Sequence, residues 1–185
     1  MKESVVALQV AHHARSARLG RRRLAERTGL SEMAVRIELE RLRERGLVEL
    51  DRAGVSLTAA GRRRFRPLLD PIRAVAPVEL GSLRVDRVTL AAHVARRETE
   101  PAWTLRDHAI REGATGLLLL YYGADGWAFV HDNEPVRVRN PQDAAVLESG
   151  FPDPSPGDLL LVASATDLRH ASMGLWRVLF SVLDG

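Results

Sequence analysis

The sequence predicts an α+β (mixed) fold in two parts: an N-terminal set of helices completed by a β-hairpin, and a small C-terminal α/β domain with a mixed sheet. Three observations predict it. Apolar residues recur at helical spacing up to Gly46, and after Ser82 they gather into the short alternating or continuous runs typical of strands. Charge divides the chain as well: residues 1–70 hold 16 Lys and Arg against 9 Asp and Glu, whereas residues 71–185 hold 11 against 15. Between them, PLLDPIRAVAPVELG carries Pro67, Pro71, Pro77 and Gly81, which punctuate helices. The expected division is a head at 1–70, a linker at 71–81 and a body at 82–185, a size suited to two small domains.

In the head, SVVALQVAHHAR reads as a first helix, with Val5, Leu8, Val6 and Ala11 toward one side and Gly20 closing the segment. RRRLAERTG reads as a second, with Leu24 and Ala25 inward. Gly29 then supplies the left-handed residue of a tight turn, and Ser31 caps the third helix. In SEMAVRIELERLRERG, Val35, Leu39 and Leu42 fall at i, i+4 and i+7, fixing one buried stripe, and Gly46 ends the helix. Glu32, Met33, Arg36, Ile37 and Glu40 lie away from that stripe. LVELDRAGVSLT gives two short strands turning at Arg52, Ala53 and Gly54, and Thr58 caps a further helix beginning TAAGRRRF.

The run LAERTGLSEMAVRIELERLRERGLVEL followed by LTAAGRR resembles the winged helix-turn-helix domain of prokaryotic transcription regulators, over residues 3 to 66. That resemblance implies double-stranded DNA as partner, with the third helix in a major groove. Arg36 is the candidate for a bidentate contact to guanine, and Glu32 or Glu40 for accepting from a cytosine amino group, with Ser31 and Met33 beside them. Arg21, Arg22 and Arg23 open the second helix, where side chains and free N–H groups meet phosphates, and Arg52 sits at the tip of the wing. The third helix balances Glu32, Glu38, Glu40 and Glu44 against Arg36, Arg41, Arg43 and Arg45, so a winged helix used for protein contact is the rival reading.

In the body the order reads strand, helix, strand, strand, strand, helix, strand, helix. SLRVDRVTLAAHV is a strand or strand pair. Thr104 and Asp107 form a T-x-x-D cap ahead of a helix ending at Gly113. TGLLLLYY, WAFVHD and PVRVRN form a meander, with GADG as its first turn, and Asn140 and Pro141 start the next helix. DLLLVASA is a buried strand leading into a final helix whose Leu175, Trp176, Leu179, Phe180, Val182 and Leu183 need cover on several sides, from the sheet or from a second subunit.

Cysteine is absent, which removes disulfides, thiolate catalysis and cysteine-based metal sites. The six histidines are scattered, so the sequence implies no metal, no cofactor and no catalytic set. No apolar run suggests a membrane span, and Met1, Lys2, Glu3 lacks the layout of a secretion signal, so a cytoplasmic, non-membrane protein is expected. Of the 27 basic residues all but Lys2 are arginine, which suits phosphate contacts. Two segments of the body are candidate ligand sites: Ser164, Thr166 and Asp167 at a strand-to-helix junction, and Arg106 and Asp107 with Gly113, where small residues permit close backbone approach. RDHAIREGATGLLLL with DLLLVASATD is similar to the C-terminal domain of an archaeal family of winged-helix proteins, a domain to which no function is assigned; the resemblance implies a domain pairing and supplies no ligand. The expected function is a sequence-specific, homodimeric DNA-binding transcription regulator whose body dimerises or senses a small-molecule effector. The alternatives are a small-molecule enzyme fused to a regulatory winged helix and the protein-contact module.

Overall fold

Side-chain caps open three of the helices in the first seventy residues. Ser4 Oγ accepts from Ala7 N at 2.9 Å ahead of α1 (Val5–Ala14), Ser31 Oγ from Ala34 N at 3.1 Å ahead of α3 (Glu32–Glu44), and Thr58 Oγ1 from Gly61 N at 3.0 Å ahead of α4 (Ala59–Leu69). Between the first two of these runs α2 (Arg21–Thr28), closed by Gly29 at φ 72°, whose N–H bonds to Ala25 O. The computed structural model describes residues 3–95 and 98–184. It divides into two compact units, Met1–Asp70 and Pro71–Gly185.

In the first unit Leu8, Leu24, Val35, Leu39, Leu42 and Phe65 are at most 1% exposed and form the core where α1, α2, α3 and α4 meet. Each such side chain contributes on the order of 1.5–3 kcal/mol on burial. The antiparallel hairpin β1 (Val48–Asp51) and β2 (Gly54–Leu57) follows α3, and Leu19 adds a bridge to Val55. Helix, turn, helix and wing therefore stand as the sequence indicates. Gly20 differs in role: its extended backbone forms the N-cap of α2 rather than the end of α1.

In the second unit five strands form one sheet in the order β3-β4-β7-β5-β6. They are β3 (Ile72–Pro77), β4 (Val88–Val94), β5 (Gly116–Gly123), β6 (Gly126–Phe129) and β7 (Leu159–Ala165). Helices α5 (Ala102–Arg111), α6 (Val136–Arg139), α7 (Pro141–Gly150) and α8 (Leu168–Asp184) complete the unit. β7 is buried along its whole length, its residues pairing with β4 on one side and β5 on the other. On one sheet face Ala91, Leu120, Trp127, Leu160 and Val162 pack with Leu147 and Phe151 of the α7 region; α5 and α8 contact the sheet as well, and each other.

Four expectations need correction. The sheet is antiparallel at every pairing rather than mixed. Residues 71–81 are no linker: Ile72–Pro77 is the edge strand β3, paired with β4, and Pro71, Val78 and Leu80 are buried. PVRVRN forms the short helix α6 rather than a strand. A single bridge, Ala128 to Pro135, is made before the chain turns, burying Val136 while Val138 stays 62% exposed. Two residues apart in a strand would share a face; in a helix they do not. Finally, α5 begins at Ala102 with Pro101 at its N-cap, so Thr104 lies inside the first turn and caps nothing.

Candidate nucleic-acid interface

Burial of Val35, Leu39 and Leu42, with Glu38 beside them, fixes the rotation of α3 and turns its opposite face outward. Glu32, Met33, Arg36, Ile37 and Glu40 are all exposed, Met33 at 61% and Ile37 at 48%. Exposed apolar side chains on a helix that also presents charge suit contact with thymine methyl groups. Ser31 stands at the start of this face with its oxygen engaged in the cap.

Arg36 Nε donates to Glu40 Oε1 at 2.9 Å. The pair lines a cleft of about 430 Å³ together with Arg21, Leu39, Arg43, Glu44 and Leu50. The hydrogen bond from Arg36 holds the Glu40 carboxyl below its ordinary range, with the charges of Arg36, Arg43 and Arg21 acting in the same direction. The same bond raises the pKa of the Arg36 guanidinium. Both groups are therefore charged at neutral pH. Arg43 and Leu50 were missed by the sequence reading. Helical spacing could have found Arg43, which follows Arg36 by seven residues and Glu40 by three; Leu50 reaches the cleft only through the fold of the wing.

Arg21, Arg22 and Arg23 are exposed in the first turn of α2, whose N-cap, Gly20, supplies no side-chain oxygen to the end N–H groups. Arg22 reaches Glu26 at 3.3 Å. Asp51 Oδ1 accepts from Ala53 N at 2.8 Å and Gly54 N at 3.1 Å, shaping a wing tip on which Arg52 is exposed. Arg18 pairs with Glu49 and Asp51, tying the wing to the segment before α2. Three arginines of α4 are engaged within the unit: Arg62 donates to Leu57 O, Arg64 pairs with Glu3, and Arg66 with Asp70.

The candidate ligand residues of the body fall in two places. Arg106 lines a cleft of about 250 Å³ with Ala102, Trp103, Leu117, Leu118, Leu119, Val130 and His131, and Trp103 there is 69% exposed. Gly113, at φ 96°, lies against the His170 ring, where a β-carbon would clash. Asp167 accepts from His170 N at 3.0 Å and contacts its Nδ1 at 2.8 Å, as a residue opening α8 does. The backbone bond from His170 leads in holding the Asp167 carboxyl below its ordinary range. Ser164 is buried, its hydroxyl 3.2 Å from that of Thr89, and its carbonyl accepts from Thr115 N and Oγ1. Asp107 and Thr166 are exposed. Among the described residues no group of three His, Asp or Glu side chains is placed to hold a metal ion.

An outward helix flanked by arginines and a wing, followed in the chain by an antiparallel sheet domain with helices, defines a winged-helix head with an α+β body. Residues 8–72 match the model of the CggR N-terminal DNA binding domain. Residues 87–182 match the domain of unknown function DUF4443, and the chain belongs to that family. A hypothetical protein, PH0730, from Pyrococcus horikoshii OT3 shares the fold, with a TM-score of 0.78 and 22% identity over 98% of this chain and 93% of its own. No curated protein matches. Among the described residues, no helix is long and apolar enough to cross a membrane.

Proposed function

We propose that the protein is a sequence-specific transcription regulator that reads duplex DNA as a homodimer, its body serving dimerisation or the sensing of a small-molecule effector, and that it works by binding rather than catalysis. The observation that carries this reading is the exposed face of α3, on which Met33 and Ile37 are exposed and Arg36 shares a cleft with Arg21 from the first turn of α2 and Leu50 from the wing, whose tip exposes Arg52. That set offers base-edge contacts from one element and phosphate contacts from two others. The match of residues 8–72 to a DNA-binding domain supports it. Such a reader works where DNA is, in the cytoplasm.

The dimer rests on symmetry. Winged-helix readers use paired half-sites related by a two-fold axis. α8 does not add to the case, because ten of its residues are already buried within the single chain. In a dimer, an effector in either body site would act by favouring one spacing of the two heads.

Selection of bound sequences from a random duplex pool tests the proposal. Recovery of a palindromic consensus, with a dimeric mass by light scattering, is the expected result. Recovery of unrelated sequences would overturn sequence-specific reading, and would favour the protein-contact reading that the internal pairs Arg36–Glu40 and Arg41–Glu38 allow.

A further inference from the structure

On the face of α3 that would meet a base pair, one arginine already has its direction set. Arg36 Nε is held by Glu40 Oε1 at 2.9 Å, one helical turn away, with the two side chains 56% and 53% exposed. An exposed pair of this kind adds little to stability, so holding the helix together does not account for a carboxylate in this place. Glu40 shares with Arg21 of α2 and Arg43 of α3 the cleft that also holds Arg36. On a surface directed at a polyanion, that negative charge weakens attraction to every sequence alike.

What the carboxylate supplies is geometry. With Nε engaged, the free donor edge of Arg36 is the fork of Nη1 and Nη2, two N–H groups that match the O6 and N7 acceptors of guanine. Released from Glu40, the same guanidinium could swing to neutralise a phosphate of any sequence, as Arg21 and Arg43 can. We propose that Glu40 is a specificity-determining positioning residue, acting through Arg36 by presenting its Nη fork to a guanine while withholding that charge from the phosphates. This rests on the DNA-reading role of α3 and assigns Glu40 a role other than direct contact with cytosine.

The test uses the full chain, as wild type, Glu40→Gln, Arg36→Ala and the double variant, on the selected duplex, on duplexes changed one base pair at a time, and on an unrelated duplex. Glu40→Gln is expected to bind the unrelated duplex more tightly, with a salt slope steeper by about 0.9 for one added phosphate contact. It is also expected to lose about fivefold or more of its discrimination at the base pair that Arg36→Ala relaxes. The double variant should discriminate there no worse than Arg36→Ala alone, since the two residues act as one unit. Full discrimination at that base pair in Glu40→Gln overturns the proposal, as does a preference altered at a different base pair, which would mark Glu40 as a direct reader. A wild-type chain that prefers no sequence overturns the DNA reading itself and the proposal with it. That result is seen before any variant is made, so the two failures are distinguishable.

Discussion

Gly61 lies directly beneath the carbonyl oxygen of Leu47, so closely that a β-carbon at residue 61 would overlap it. That oxygen also accepts from Thr58 N at 3.1 Å, which ties the start of α4 to the residue that leads into the first strand of the wing. The small residue in the LT-x-x-G segment is there because two backbones touch.

Gly61→Ala should therefore destabilise the first unit by about 1–3 kcal/mol or more, since the neighbour it meets is backbone rather than a flexible side chain. Gly20→Ala is the control, because nothing lies within 4 Å of the β-carbon it would add. Thermal unfolding followed by far-ultraviolet circular dichroism checks both. Equal melting temperatures for the two variants would contradict the contact.

Glu3 is 8% exposed and accepts from Arg45 Nη1 at 2.8 Å, from Arg45 Nη2 at 2.6 Å and from Arg64 Nε at 2.8 Å. The bond from Arg45 leads in holding its carboxyl below the ordinary value, against the opposing effect of burial. Glu3→Ala leaves two guanidiniums without this partner and should cost about 1–3 kcal/mol, as the loss of a charged hydrogen-bond partner does. A neutral Glu3→Ala variant in denaturant unfolding would count against the clamp.

Acid should unfold the first unit before it reaches the ordinary carboxylate range. Burial leads in pushing His12 down to about 3 and His13 down to about 4, with Arg15 adding to the first and Arg27 to the second. Below the ordinary histidine value of 6.5 the unfolded chain takes up these protons, whereas the folded chain stays neutral until about 3 to 4. Stability therefore falls as pH drops through that window, by about 1.4 kcal/mol per pH unit for each histidine at most. Glu3 adds in the same sense lower down: its contribution is present above its ordinary 4.5 and is lost as pH falls toward its depressed value. Because Trp103, Trp127 and Trp176 all lie in the second unit, helical ellipticity should decline ahead of tryptophan fluorescence. A His12→Gln, His13→Gln variant should flatten the slope between pH 6.5 and 4; an unchanged slope would contradict the assignment.

In the second unit, His93 Nε2 lies 2.8 Å from Asp158 Oδ2, both residues 3% exposed, with the imidazole edge-on to Trp127 and Phe151. Asp158→Ala removes one member of a buried polar pair and an acceptor for Ser155 N, and should cost about 1–3 kcal/mol or more. Tryptophan fluorescence on urea unfolding reads this directly, and a change below about 1 kcal/mol would show that the pair holds little.

How much was legible in the sequence depends on how local each signal is. The Ser31 and Thr58 caps, the left-handed Gly29 and the stripe of Val35, Leu39 and Leu42 act within one or two turns, and the structure places each of them as read. β3 was not legible, because Pro71 and Pro77 bracket it and prolines punctuate connectors; on an edge strand paired on one side only, a proline at the end breaks no interior ladder. The antiparallel course of the whole sheet is not legible because β7 inserts between β4 and β5, and its pairing with β4 joins residues some 70 apart in the chain, which leaves no local mark. At the DNA face, rotation of α3 was readable from its buried stripe, but the engagement of Arg36 by Glu40 and the arrival of Leu50 beside them were not.

Arg36 and Arg22 should separate specificity from affinity. Arg36→Ala is expected to cost about 1–3 kcal/mol on the selected duplex and to relax one base position, whereas Arg22→Ala should weaken all duplexes alike and lower the salt slope by about 1. Equal losses on every sequence for both variants would contradict the assignment of roles.

The measurement that bears most directly on a helix seated in the major groove and anchored by guanidiniums is the affinity of the full chain for duplex DNA as salt rises. With about six phosphates neutralised per protomer, affinity should fall by roughly 10³ between 50 and 200 mM salt. An affinity that holds level across that range would contradict the account.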